Sequence, residues 1–240
     1  MARTLILFGA GPGIGNNVAL AFAASGITHI ILLSRNTQRL ETSDAPLLRT
    51  SYPSLKISTL HCDLADLAAL PSVLESLSRL TSAADVEVVF FNAARIKPTQ
   101  DVFGVSVEEM EEDFKTTNLA LFLVARHYLP VLTDNAVAAA AAKEKGEGSE
   151  RRPALLVTNS ALPWDPVPQL LSLSLVKAAQ KNMVESFARA WEGKGVHIGL
   201  VFVEGTVAPE NKVLNPKTIA ERTVAFWKEG KGLGINIKEE

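Results

Sequence analysis

The chain has 240 residues, 47% of them hydrophobic, and 24 basic against 26 acidic side chains leave a formal charge of −2. Such a chain can bury a large core, while its balanced charge offers no face for nucleic acid or an anionic membrane, so neither is an expected partner. Cys62 is the only cysteine, which excludes an intramolecular disulfide and a cysteine-based zinc or iron–sulfur site; with no apolar run of membrane-spanning length, the reading is a reduced, cytoplasmic, globular protein.

Six short apolar runs, at 4–8, 29–33, 56–61, 86–91, 154–158 and 197–203, read as strands. Their Ile, Leu and Val content is nearly continuous, as in strands covered by helices on both faces. Helical patterns lie between them near 14–24, 64–80, 107–132 and 171–193, and a last helix at about 216–229 leads to a seventh strand at 234–237. This alternation implies one α/β domain, a doubly wound parallel sheet of about seven strands. The stretch 133–152 stands apart. Its alanine run could extend the preceding helix, and its charged, glycine-dotted end reads as a mobile surface insertion.

Gly9-Ala10-Gly11-Pro12-Gly13-Ile14-Gly15 sits where the first strand hands over to the first helix. Glycines there let the backbone approach a pyrophosphate, and the helix N-terminus offers free N–H groups; the strand before and helix after make this a Rossmann-type dinucleotide site. The second strand ends in Leu33-Ser34-Arg35-Asn36, without the carboxylate that would pair with the ribose hydroxyls of NAD. Arg35 can clamp a 2′-phosphate, with Ser34 and Asn36 as further donors, which points to NADP(H) as cofactor.

Over nearly its whole length the chain resembles the short-chain dehydrogenase/reductase family. The family's Gly-x-x-x-Gly-x-Gly matches Gly9, Gly13 and Gly15; its adenine-side aspartate matches Asp63; its Asn-Asn-Ala-Gly appears as Phe91-Asn92-Ala93-Ala94, with Asn92 and Ala93 kept. The resemblance implies a catalytic Asn, Ser, Tyr and Lys, the lysine also holding the cofactor's ribose; Asn118, Ser160 and Lys177 match three of these. The tyrosine slot, four residues before Lys177, holds Leu173. Tyr52 lies in a Ser-Tyr-Pro loop, and Tyr128 lies roughly 15 Å along a helix from Asn118, so neither is placed to replace the phenol.

Asp165 is the candidate for non-standard chemistry. It lies in Pro163-Trp164-Asp165-Pro166-Val167-Pro168, in the segment that the resemblance places beside the substrate; an Asp-Pro turn with a packing tryptophan is the plainer account of the same residues. Arg126 could reach the cleft, and Glu204 would bring a second carboxylate towards the nicotinamide end. Carbonyl reduction needs an acid for the developing alkoxide, whereas an iminium is already cationic and benefits from a nearby carboxylate. The expectation is therefore an NADP(H)-dependent oxidoreductase acting on a small molecule, an imine, iminium or bulky secondary-metabolite substrate. In the lost tyrosine and the proline-flanked aspartate it is similar to reductase/Diels–Alderases of fungal alkaloid pathways. Two other readings stand beside it: slow carbonyl reduction with water or Ser160 as proton source, and an NADPH-binding pseudoenzyme acting as sensor or scaffold. The apolar helix with Leu119, Leu121, Phe122, Val124 and Ala125 is read as packing on the sheet and on a second copy, in a homodimer or homotetramer.

Overall fold

Alternating side chains of a strand point to opposite faces, so a strand covered on both sides feeds two separate cores. Leu5 and Leu7 of β1 (Thr4–Phe8) enter one core and Ile6 and Phe8 the other; Ile30 and Leu32 of β2 (His29–Ser34) part in the same way from Ile31 and Leu33. The computed structural model, which describes residues 2–146 and 151–239, completes this sheet with β3 (Lys56–His61), β4 (Val86–Phe91), β5 (Ala154–Ser160), β6 (His197–Val203) and β7 (Gly234–Ile237). All pairs are parallel, and the order is β3-β2-β1-β4-β5-β6-β7.

The first core is closed by α1 (Ile14–Ala24), α3 (Ala45–Ser51) and α8 (Pro216–Glu229), with the rings of Phe22 and Trp227 5.1 Å apart, while the short α2 (Thr37–Arg39) contributes no buried residue. The second is closed by α4 (Leu70–Leu80), α6 (Ala120–Glu144) and α7 (Leu171–Ala190), preceded by the shorter α5 (Val107–Phe114). The chain leaves β1 towards β2 on one side and reaches β4 on the other. That reversal opens a crevice at the C-terminal ends of β1 and β4, where ligands of such sheets bind.

Several boundaries differ from the sequence reading, each for a local reason. Residues 64–69 form turns rather than helix, because Asp66 Oδ1 accepts the Ala69 N–H and Pro71 suits the first turn of α4. The segment read as a helix over 107–132 is interrupted by a π turn, Lys115–Leu119, which contains Asn118. Residues 37–51, left unassigned, fold as α2, a π turn (Leu40–Asp44) and α3. The insertion expected over 133–152 is largely helix: the alanines continue α6 to Glu144, as their propensity favours, and Asn135 ties it down by donating to Ala83 O and Val86 O. The rest of that expectation falls partly on 147–150, outside the described residues. Among the described residues, no helix is long and apolar enough to cross a membrane.

Candidate functional site

The glycine loop is built for close approach. Gly9 has φ +85°, and a Cβ there would stand 2.9 Å from Ala93 N, so neither backbone sterics nor space admits another residue. The N–H groups of Gly9 and Ala10 both donate to Leu33 O, at 3.0 and 2.9 Å, folding the loop onto the end of β2. Gly13, φ +100°, precedes α1, and a Cβ there would meet nothing within 4 Å, so the helix end is open at Gly13, while Gly15 is buried, its Cβ position 3.2 Å from Gly9 O. Asn92 joins the walls of the crevice. Its Nδ2 donates to Gly9 O at 3.2 Å, and its Oδ1 accepts from Thr158 Oγ1 at 2.8 Å.

A cavity of about 240 Å³ follows this loop, lined by Gly9, Ser34, Arg35, Asp63, Asn92 and Ala93 among others. Six expected cofactor residues thus share one space, while Gly11, Gly13, Ile14, Gly15, Asn36 and Lys177 are not among its lining residues. Arg35 is exposed and has no partner among the described residues. Asn36, expected as a donor to the cofactor, uses its Oδ1 to cap α2 through the Arg39 N–H at 2.9 Å. Asp63 accepts the Ala65 N–H at 3.0 Å. Beside it, burial pushes the Cys62 thiol up to about 12, so it stays protonated and unreactive.

Two cations in this cavity escaped the sequence reading. Arg39 donates through Nη2 to Ala10 O at 2.7 Å and Ser34 Oγ at 3.0 Å, beneath Gly11. Its spacing from Arg35 was visible, but its role depends on a π turn that no periodicity announced. Arg95, at the other end, donates through Nε to Asp113 Oδ1 at 2.7 Å, and that bond is the main cause raising its pKa. Ser172 Oγ donates to the second Asp113 oxygen at 2.6 Å, so α5 and α7 are joined through one carboxylate.

The residues expected to be catalytic are close in the fold but face different ways. Ser160 ends β5, half-buried, and its Oγ accepts the Leu162 N–H at 3.3 Å. Asn118 is fully buried, donating to Val176 O at 3.1 Å, and its Oδ1 has no partner among the described residues. Lys177 is 5% exposed and turned inward: Nζ donates to Thr158 O at 2.7 Å and to Gln180 Oε1 at 3.0 Å. Burial lowers its pKa to about 7. Gln180, unforeseen in the sequence, also accepts from Asn159 Nδ2 and donates to Thr117 O, which makes a buried polar knot under the crevice.

Leu173 is 8% exposed on the first turns of α7. Tyr128 is buried in the second core, where desolvation raises its pKa, and Tyr52 packs against the first. Asp165 is exposed and its carboxylate has no partner among the described residues, while its N–H donates to Ala161 O at 2.9 Å. Trp164 lies edge-on to Phe202 with centroids 4.9 Å apart. Glu204, the second carboxylate expected at the nicotinamide end, accepts instead from Asn236 of β7, because β6 and β7 pair up to Val203 and Ile237. Arg126 sits over the Phe122 ring at 5.9 Å rather than among the cavity residues.

The model of the short chain dehydrogenase family matches residues 3–218. This chain is a short-chain dehydrogenase by family. Among curated proteins, the chain is 25% identical over 127 residues to the short chain dehydrogenase/reductase nsrO of Aspergillus novofumigatus, covering 53% of this chain and 41% of that one. It is 28% identical over 129 residues to an NADP-dependent 3-hydroxy acid dehydrogenase of Schizosaccharomyces pombe, covering 54% and 48%. The matched regions span less than half the length of these relatives. Two solved structures share the fold. The NADPH-bound short chain oxidoreductase from Pseudomonas aeruginosa PAO1, described as containing an atypical catalytic center, has TM-score 0.80 at 18% identity over 98% of this chain and 95% of that one. A Sphingobium yanoikuyae short-chain dehydrogenase in complex with NADPH has TM-score 0.75 at 19% identity over 97% and 86%.

Proposed function

We propose that this chain is an NADP(H)-dependent oxidoreductase with a non-standard catalytic end, acting on an imine, an iminium or a bulky secondary-metabolite substrate. The observation that carries the cofactor is the corner where β2 ends: Ser34, Arg35 and Arg39 line one cavity, the Asp44 carboxylate beside it is committed to Arg39 and Asn16, and Asp63 lies past the neighbouring strand end. A 2′-phosphate needs donors and cations there, and a ribose diol needs an acid. The open α1 N-terminus beyond Gly13 accommodates a pyrophosphate. That two fold relatives hold NADPH supports the same reading.

When bound, the nicotinamide supplies or accepts a hydride at the crevice. Ser160, whose Oγ is used only as an acceptor by Leu162, keeps its own proton to donate to a substrate heteroatom. Asp165, unpartnered on the proline-stiffened loop beside Trp164, holds an imine nitrogen in its protonated, electrophilic form. Lys177 works from beneath. Its bond to Thr158 O and the Thr158 bond to Asn92 set the end of β5, which carries Ser160, while Asn118 braces α7 through Val176 O. Two Lys177 Nζ protons are given to Thr158 O and Gln180 Oε1, so the ribose contact implied by the family pattern draws on the third. The inward lysine and Leu173 favour one second reading, a nucleotide-binding pseudoenzyme that senses or scaffolds.

Phe114, Leu119 and Phe122, from α5, the π turn and α6, stay exposed together with Leu175 of α7, and this surface suits a second copy in a homodimer or homotetramer. The compartment is cytoplasmic in this reading. The test of the cofactor is a titration with NADPH and NADH followed by nicotinamide fluorescence. NADPH should bind in the micromolar range, more tightly than NADH, and Arg35→Ala should narrow the difference. Binding of neither nucleotide would remove the reading's reagent. Binding of NADPH without turnover of imines or ketones would leave the pseudoenzyme.

A further inference from the structure

Of the two cations at the ribose end of the cavity, one is held in place by the fold. Arg35 is exposed and unpartnered, so any anion it takes must immobilise a long side chain. Arg39 is already fixed. Its Nε donates to Asp44 Oδ2 at 3.0 Å, and Nη2 donates to Ala10 O and Ser34 Oγ. Asp44 is 2% exposed and ends the π turn Leu40–Asp44, which directs its carboxylate inward. Its other oxygen accepts from Asn16 Nδ2 of α1 at 2.7 Å. Both carboxylate oxygens are therefore committed, and Nη1 of Arg39 has no partner among the described residues. Gly11 completes the arrangement, since a Cβ there would lie 3.2 Å from Nη2.

We propose that Asp44, held by Asn16, is a positioning residue that sets Arg39 in advance for a 2′-phosphate and so determines the preference for NADP(H) over NAD(H). The inference rests on the NADP(H) reading above and deepens it. Holding the guanidinium by Nε and Nη2 moves the ordering cost from binding to folding and leaves Nη1 for the ligand. The expected effect is opposite in sign to a purely electrostatic one. By charge alone, removing a carboxylate from a phosphate site should tighten phosphate binding. If Asp44 acts by positioning, its removal loosens it.

The experiment is calorimetric titration of the whole chain with 2′,5′-ADP and 5′-ADP, which differ in the phosphate under question. Asp44→Asn should weaken 2′,5′-ADP about 10-fold and change 5′-ADP by less than about twofold. In an Arg39→Gln background, Asp44→Asn should add nothing further. Unchanged or tighter 2′,5′-ADP binding, or an equal loss for both ligands, overturns the proposal. If Asp44→Asn does not fold, the wild-type protein answers by NMR: the Arg39 Nε–H, assigned through Arg39→Gln, should be observable and protected from exchange without ligand. A rapidly exchanging Nε–H overturns the positioning. Wild-type protein that fails to distinguish the two ligands defeats the NADP(H) reading itself; one that distinguishes them while Asp44→Asn does not alter the ratio defeats only the role of Asp44.

Discussion

Chemistry at the crevice turns on a few side chains whose partners differ from what their neighbours in sequence suggest. Asp165 is the sequence candidate near the substrate end and Glu204 the secondary carboxylate; Glu204 accepts from Asn236, while the Asp165 carboxylate has no partner among the described residues. Imine turnover in the proposed reaction therefore depends on Asp165. Asp165→Ala should lower kcat on a cyclic imine by about 10²-fold, the scale of losing one electrostatic stabiliser, while Leu173→Tyr should not be required for that turnover. Steady-state rates of the two variants on an imine and a ketone decide this, and activity that appears only with Leu173→Tyr would count against the iminium substrate. Asp165 was legible because prolines and a tryptophan surround it. Arg39 was not, since an arginine in a polar stretch looks the same whether it faces solvent or the floor of a cavity.

Elements were read well where both of their faces are buried. In β1, β2, β4, β5 and β6 burial on both sides leaves few polar positions to confuse the pattern, whereas the edge strands β3 and β7, read at the same places, are only partly buried. The π turns were invisible, since one widened turn alters the periodicity less than ordinary sequence noise, and they carry Asn118 and Asp44 into the interior. On α7, the inward turn of Lys177 has a consequence for stability. Its folded-state pKa lies near 7, below the ordinary lysine value of 10.5, so between these values the unfolded chain holds a proton that the folded one does not. Stability then rises with pH from about 7 towards 10.5, by up to about 1.4 kcal/mol per pH unit for one proton, and below 7 the cost of the buried charge is fully present. Urea unfolding of wild type and Lys177→Met from pH 6.5 to 9.5 checks this: the difference between them should change in favour of wild type as pH rises. A constant difference would mean that Lys177 stays charged in the folded protein.

At the scale of the molecule, the sheet order brings the glycine loop, the end of β2 and the loop after β4 to one crevice, although these segments are far apart in the chain. On the outside, α5, the π turn, α6 and α7 leave Phe114, Leu119, Phe122 and Leu175 exposed. Phe122 is 43% exposed on this surface, so Phe122→Glu should yield monomers with the fold intact, measured by light scattering and circular dichroism. A wild-type protein that is already monomeric would remove the proposed homo-oligomer.

From the sequence alone came the parallel α/β fold, the glycine loop and the absence of an acid after the second strand, because each is a local matter of hydrophobic period, backbone freedom or residue type. The family resemblance added Asp63, Asn92, Asn118, Ser160 and Lys177 as positions. Only the tertiary structure decided which way those residues face. Lys177 bonds inward to Thr158 and Gln180, Glu204 turns to the neighbouring strand, and Arg39 is fixed beneath Gly11 by Asp44. A side chain's partners are chosen by burial and by what the fold brings within hydrogen-bond reach, and a linear spacing contains neither.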